Sequence, residues 1–208
     1  MQLSDPKTVT DKFFFPIAFV VIICLVWFAA QRSETACPTG SIGGAHTDYT
    51  VIEVSGSQLN RFIPTDGLIK NECQIGRPYI LELKADQTVF SSTPEAGPHF
   101  RIAPDIQVAV SDRTVRVVVR ARAAQADGTT GFEVNYHTGA KGGSGWQFFP
   151  LAETFGDHSF EYRVPKAADG PGIDYLAIRP VLNGATTSFE IERVTLMNLN
   201  LIRAAKNK

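Results

Sequence analysis

The chain lacks most of what a reaction centre needs. It holds three cysteines, none spaced as Cys-x-x-Cys, which leaves thioredoxin-like and zinc-ribbon chemistry without thiols or ligands. Its histidines, His46, His99, His137 and His158, are scattered without the His-x-x-x-His spacing of a metal-binding helix. The glycine-rich run "GAKGGSGW" from Gly139 has no Gly-Lys-Ser/Thr and no helical pattern behind it, so it is not a phosphate-binding loop. Gly-x-Ser-x-Gly is absent too. Glu190 and Glu192 share one strand face beside Arg193, whereas the paired acids of a glycosidase flank a substrate across a cleft. An enzyme is not expected, nor a cofactor or a metal. Charge of one sign is also missing: 20 Lys and Arg stand against 21 Asp and Glu, which removes the basic excess that tracks nucleic acid. No internal repeat and, beyond the first thirty or so residues, no long helical periodicity is present.

What is there begins with "FFFPIAFVVIICLVWFAA", residues 13–30, a run without charge. As a helix it would extend roughly 27 Å, the hydrocarbon thickness of a bilayer. Pro16 falls in the first turn, where a missing N–H costs little, and Trp27 and Phe28 lie near the far interface. A signal peptide would place Phe28 or Trp27 where cleavage needs a small side chain, so the expectation is an uncleaved transmembrane anchor. Lys7 and Lys12 precede the span and Arg32 alone follows closely, which leaves residues 1–12 as a cytoplasmic tail and exports the rest across an inner or plasma membrane. In a periplasmic or extracellular compartment Cys37 and Cys73 are able to form one disulfide; two separate buried thiols are the other reading. Cys24 lies inside the span.

Residues 31–48, with Pro38, Gly40, Gly43 and Gly44, read as a linker. From 49 to 203 apolar and polar residues alternate in short runs between turn residues: "YTVIEV", "YILELK", "VRVVVRARA", "FEVNYH", "WQFFPL", "SFEYRV", "DYLAIRPVL" and "SFEIERVTLMNL". Period-two runs at this spacing predict an all-β, antiparallel sandwich or barrel. Residues 204–208 form a basic tail. Alternation puts Val115, Val117, Val119 and Ala121 on one face and Arg116, Arg120 and Arg122 on the other. The arginines, with Arg163 and the glutamates Glu133, Glu161, Glu190 and Glu192, suit a solvated face of cross-strand pairs.

The stretch from residue 130 onward resembles the C-terminal half of the carbohydrate-binding-module-like jelly rolls, also called galactose-binding-like domains. The likeness lies in a Trp entering a strand (Trp146), a Val-Pro after an aromatic-rich strand (Val164, Pro165) and a final Ile-x-x-Val-x-Leu strand (Ile191, Val194, Leu196). It implies a jelly-roll sandwich for residues 49–203. Such domains often hold a structural calcium ion, but no compact acidic loop here selects a site.

Two functions follow as expectations. One is a non-catalytic single-pass membrane protein whose exported jelly roll docks on partner proteins as an accessory subunit of a membrane complex. The other is a membrane-tethered module that binds envelope polysaccharide. Sugar C–H faces stack on aromatic rings while amides and charged groups take hydroxyls. The candidate binding residues are Trp146 and Tyr175, with Asn135, His137 and Arg179 as polar neighbours. For Trp146 the buried strand-entry residue is the favoured reading over ligand stacking, and Tyr136 and Tyr162 fall on the apolar sides of their strands.

Overall fold

The computed structural model describes residues 16–27, 37–43, 48–65, 67–85, 97–166, 173–182 and 186–206. The chain divides into two compact units, Met1–Ala36 and Cys37–Lys208. In the first, residues 16–27 form helix α1, opened by Pro16. Among the described residues no helix is long and apolar enough to cross a membrane. The remainder of the expected span, 13–15 and 28–30, lies outside the described residues, as does the tail 1–12.

The second unit is mostly β, and every strand pairing in it is antiparallel. Its strands are β1 (Val51–Ser55), β2 (Leu68–Lys70), β3 (Leu81–Ala85), β4 (His99–Ile102), β5 (Thr114–Ala123), β6 (Gly131–His137), β7 (Gln147–Pro150), β8 (Gly156–Arg163), β9 (Asp174–Pro180) and β10 (Thr187–Asn198). Among the described residues two short α-helices accompany them, α2 (Pro104–Val110) between β4 and β5 and α3 (Leu199–Lys206) after β10. The larger sheet runs β2-β3-β10-β5-β8, with β1 also on β10; the smaller runs β4-β9-β6-β7. The chain crosses between the sheets repeatedly, so that β10 pairs with β1, β3 and β5, all distant in sequence.

Periodicity explains the layering. Val115, Val117, Val119 and Ala121 of β5 are buried, as are Phe132, Val134 and Tyr136 of β6, and the two rows meet in one core. Phe132 stacks on Phe189 of β10 at 5.5 Å, and Tyr136 lies 5.7 Å from Tyr162 of β8. Full burial of aromatic and branched side chains on both inner faces is the main stabilising term, about 1.5–3 kcal/mol for each large side chain.

The three-residue step of the Ile191-x-x-Val194 motif is a β-bulge. The β10 register against β5 shifts between Ile191 and Arg193, so Phe189, Ile191, Val194 and Leu196 all point inward. Glu192 is the extra residue, and a strict period of two would have turned half the strand inside out.

The Cys37–Cys73 disulfide closes a loop of 36 residues. Residues 37–43, read from the sequence as linker, lie within the second unit: Ile42 is buried and bridges to Ile102. Arg61 donates to the carbonyls of Thr39 and Ser41, holding the segment further. Residues 204–206 of the expected basic tail belong to α3.

Candidate functional site

The outer face of the smaller sheet is where the candidate residues meet. In β6, inward Phe132, Val134 and Tyr136 leave Gly131, Glu133, Asn135 and His137 facing out. In β9 the same alternation turns out Tyr175, Ala177 and Arg179, and the register sets them opposite His137, Asn135 and Glu133. β4 adds His99 opposite Ala177 and Arg101 opposite Tyr175. On the far edge Phe148 of β7 stands opposite Glu133, with Trp146 two residues earlier. Trp146, Tyr175, Arg179, Asn135 and His137 are thus brought to one face, three strands wide.

Each ring on this face is held. Arg179 lies over the Trp146 ring, its guanidinium carbon 3.8 Å from the centroid. Glu133 fixes that arginine through ion-paired hydrogen bonds of 2.7 Å, and the two side chains are only 18% and 26% exposed. A carboxylate orienting an arginine that covers an indole is a preorganised stack, stronger than its surface equivalent because it is partly desolvated. Tyr175 meets the His99 ring edge-on at 4.8 Å. Phe148 is 55% exposed, and its ring lies on Gly131, where a Cβ would come within 2.5 Å of Phe148 Cε2. Only glycine fits beneath that ring.

The glycine-rich run that drew attention in the sequence is the turn carrying β6 into this edge. Thr138 N–H and Oγ1 both donate to the Gly142 carbonyl, Ser144 N–H donates to the Tyr136 carbonyl, and Tyr136 N–H donates to Ser144 Oγ. Gly143 bridges to His137, and a side chain there would collide with Asn135 Oδ1 and the Tyr136 carbonyl, both 2.7 Å away. The turn therefore sits flush on β6 and delivers Trp146 to the face.

Between the rings the polar groups are sunk. Asn135 and His99 are buried and Ala177 is fully covered. Burial holds the His99 imidazole below its ordinary range; the Gly97 carbonyl, 2.6 Å from Nδ1, opposes this and Arg101 adds to it. With Nδ1–H donating to Gly97, Nε2 is left as an acceptor, and it has no partner among the described residues. Behind the face, Tyr136 donates its hydroxyl to buried Asp174 at 2.9 Å, and burial raises that carboxyl above the usual range.

The face offers rings, amides and charged groups for binding. Among the described residues no three metal-ligating side chains stand together. Sequence reasoning overlooked His99, Arg101 and the ring-holding role of Glu133. The quartet His-Phe-Arg-Ile between Pro98 and Pro104 alternates as a strand should, and that alternation was the available signal.

The other outer face is different in kind. Across β8, β5 and β10, Arg116 pairs with Glu161 at 2.6 Å, Arg120 with Glu192 at 2.5 Å, Arg122 with Glu190 at 2.7 Å and Arg193 with Asp157 at 3.6 Å. Beyond it lies a polar cleft of about 300 Å³, lined in part by Glu82, Arg122, Glu190 and the 71–80 loop that Cys73 anchors.

No family model matches the chain, and no curated protein does. Similar solved structures include a CBM4 module, at 13% identity over 76% of this chain and 92% of that one, with a TM-score of 0.44. The CBM22-1 xylan-binding domain of Xyn10C from Paenibacillus barcinonensis is 9% identical over 66% of this chain and 85% of that one, TM-score 0.39. The C-terminal CBM6 of the marine laminarinase LamC from Zobellia galactanivorans is 10% identical over 71% and 99%, TM-score 0.36. These figures carry no residue of the site across.

Proposed function

We propose that the chain is a non-catalytic glycan-binding module, with the outer face of the four-stranded sheet as its site, tethered to a membrane by residues 13–30. The observation that carries this reading is the Trp146–Arg179–Glu133 stack beside Phe148 and Tyr175. Rings held in fixed planes beside amide, imidazole and guanidinium groups make a surface of mixed apolar and polar character. A sugar has both complements, an apolar C–H face for the rings and hydroxyls for the polar groups. Fixed rings also lower the ordering cost of binding.

The tether rests on the charge-free run and on the lysines before it. The Cys37–Cys73 disulfide suits an exported domain, periplasmic or extracellular, with the N-terminus in the cytoplasm. Thiol alkylation of the intact chain in cells checks this: the pair resists modification until reduced if the domain is exported.

Binding is tested by affinity electrophoresis and calorimetry of the full chain in mild detergent against soluble polysaccharides. Wild-type protein is expected to be retarded, and Trp146→Ala to lose at least about tenfold in affinity. Wild-type migration unchanged by any polysaccharide would remove the reading. In that event exposed Phe148 favours the second reading, docking on a partner protein as an accessory subunit of a membrane complex. Stoichiometric co-purification in mild detergent that Phe148→Asp abolishes is the outcome expected of it.

A further inference from the structure

We propose that the polysaccharide bound on this face is acidic, and that Arg101 takes its anionic groups; this rests on the glycan-binding reading above. Arginines on strands of this fold are generally matched with a carboxylate: Arg116, Arg120, Arg122, Arg163, Arg179 and Arg193 each have one within 4 Å. Arg101 is exposed on β4 and has no ion-pair partner among the described residues. Its position is what matters. It stands opposite Tyr175 in the sheet, with His137 on the other side of that tyrosine. A ligand ring lying on Tyr175 would therefore have a guanidinium at one edge.

Charge on the rest of the face points the same way. Glu133 is committed to Arg179. Asp174, next in sequence to Tyr175, is turned inward onto the Tyr136 hydroxyl. β7 carries no charge. Among the described residues of β4, β6, β7 and β9 on this face, no carboxylate is left uncompensated, whereas one guanidinium is. A neutral polymer would gain hydrogen bonds to its hydroxyls from it; a uronate, or a sulfated or phosphorylated sugar, gains the stronger charge-assisted, bidentate hydrogen bond.

The experiment compares full-length protein in mild detergent on alginate and polygalacturonate (carboxylate), dextran sulfate (sulfate), and xylan and dextran (neutral). Acidic polymer is expected to bind about tenfold more tightly than neutral, with the advantage shrinking as salt rises from about 50 to 500 mM. Arg101→Gln should erase that advantage at unchanged Tm, and Arg101→Lys should restore part of it. The carboxylate and sulfate arms identify which anion is preferred. Equal binding of neutral and acidic polymers, indifferent to Arg101→Gln but lost in Trp146→Ala, would overturn the acidic ligand and leave the module reading standing. Binding that depends on Arg101 but is untouched by Trp146→Ala would be charge adhesion and would overturn both, as would no binding at all.

Discussion

The two outer faces of this sandwich share a construction and differ in what is left over. On the larger sheet each outward arginine of β5 and β10 meets a carboxylate on a neighbouring position, and the charges cancel within the molecule. On the smaller sheet, rings alternate with polar groups and the ion pair Arg179–Glu133 is spent on holding Trp146. A surface that satisfies itself has little to offer a ligand. A surface that fixes its rings, with Arg101 lacking an ion-pair partner among the described residues, would have less left to order on binding.

The largest effect should come from the layer both faces depend on. Phe189→Ala removes the ring stacked on Phe132 and is expected to cost about 3–5 kcal/mol in denaturant unfolding, lowering the stability of both sheets together because they pack on one core. Reducing the Cys37–Cys73 bridge should cost about 2–4 kcal/mol while leaving polysaccharide affinity unchanged, since the loop it anchors borders the charged face. Glu133→Gln should weaken binding about fivefold, a cost near 1 kcal/mol, and lower stability by about 1–2 kcal/mol, because it leaves half-buried Arg179 without its anion and loosens the plane of Trp146. By contrast Arg116→Ala, which breaks an exposed pair whose partners are each 45% open to solvent, should change stability by no more than about 1 kcal/mol and binding not at all.

A smaller effect separates the faces by pH. Burial lowers the His99 imidazole, and the unfolded chain therefore takes up that proton first. The stability linked to neutral His99 is present above the ordinary imidazole value, about 6.5, and is lost as pH falls from there toward the lowered one. His158, half-buried against Phe132 and Phe149, is also lowered by burial and acts in the same direction. Asp174, raised by burial, has the opposite sign and regains stability only at lower pH, as the raised carboxyl takes its proton. Thermal unfolding from pH 7.5 to 5.5 should show a falling Tm that His99→Gln makes shallower, leaving the part due to His158.

Much of the fold was legible because it is periodic. The eight runs read from the alternation correspond to strands, with ends displaced by up to three residues, and the inward valines of β5 and rings of β6 are where the period of two puts them. β2 and β4 escaped notice because three or four residues carry too little pattern; what defines them is pairing with β3 and β9. The bulge at Glu192 was visible only as an odd spacing between Ile191 and Val194, and its meaning needed the partner strand. At the site, alternation put Tyr175 and Arg179 outside, and the turn glycines pointed at Trp146. That Arg179 covers Trp146, that Glu133 holds Arg179 and that Arg101 lies beside Tyr175 are facts of cross-strand register, set by long-range pairing. The charged set was read as one solvated surface, yet Glu133 belongs to the opposite sheet from Glu161 and Glu190.

The most direct test is hydroxyl-radical footprinting of the full-length chain with and without saturating acidic polysaccharide. Trp146, Phe148 and Tyr175 report on one face, and Met197, which faces out beside Arg116 on the larger sheet, reports on the other. Protection of the three rings with Met197 unchanged is the predicted result. Protection of Met197 while Trp146 stays fully reactive would contradict the assignment of the site.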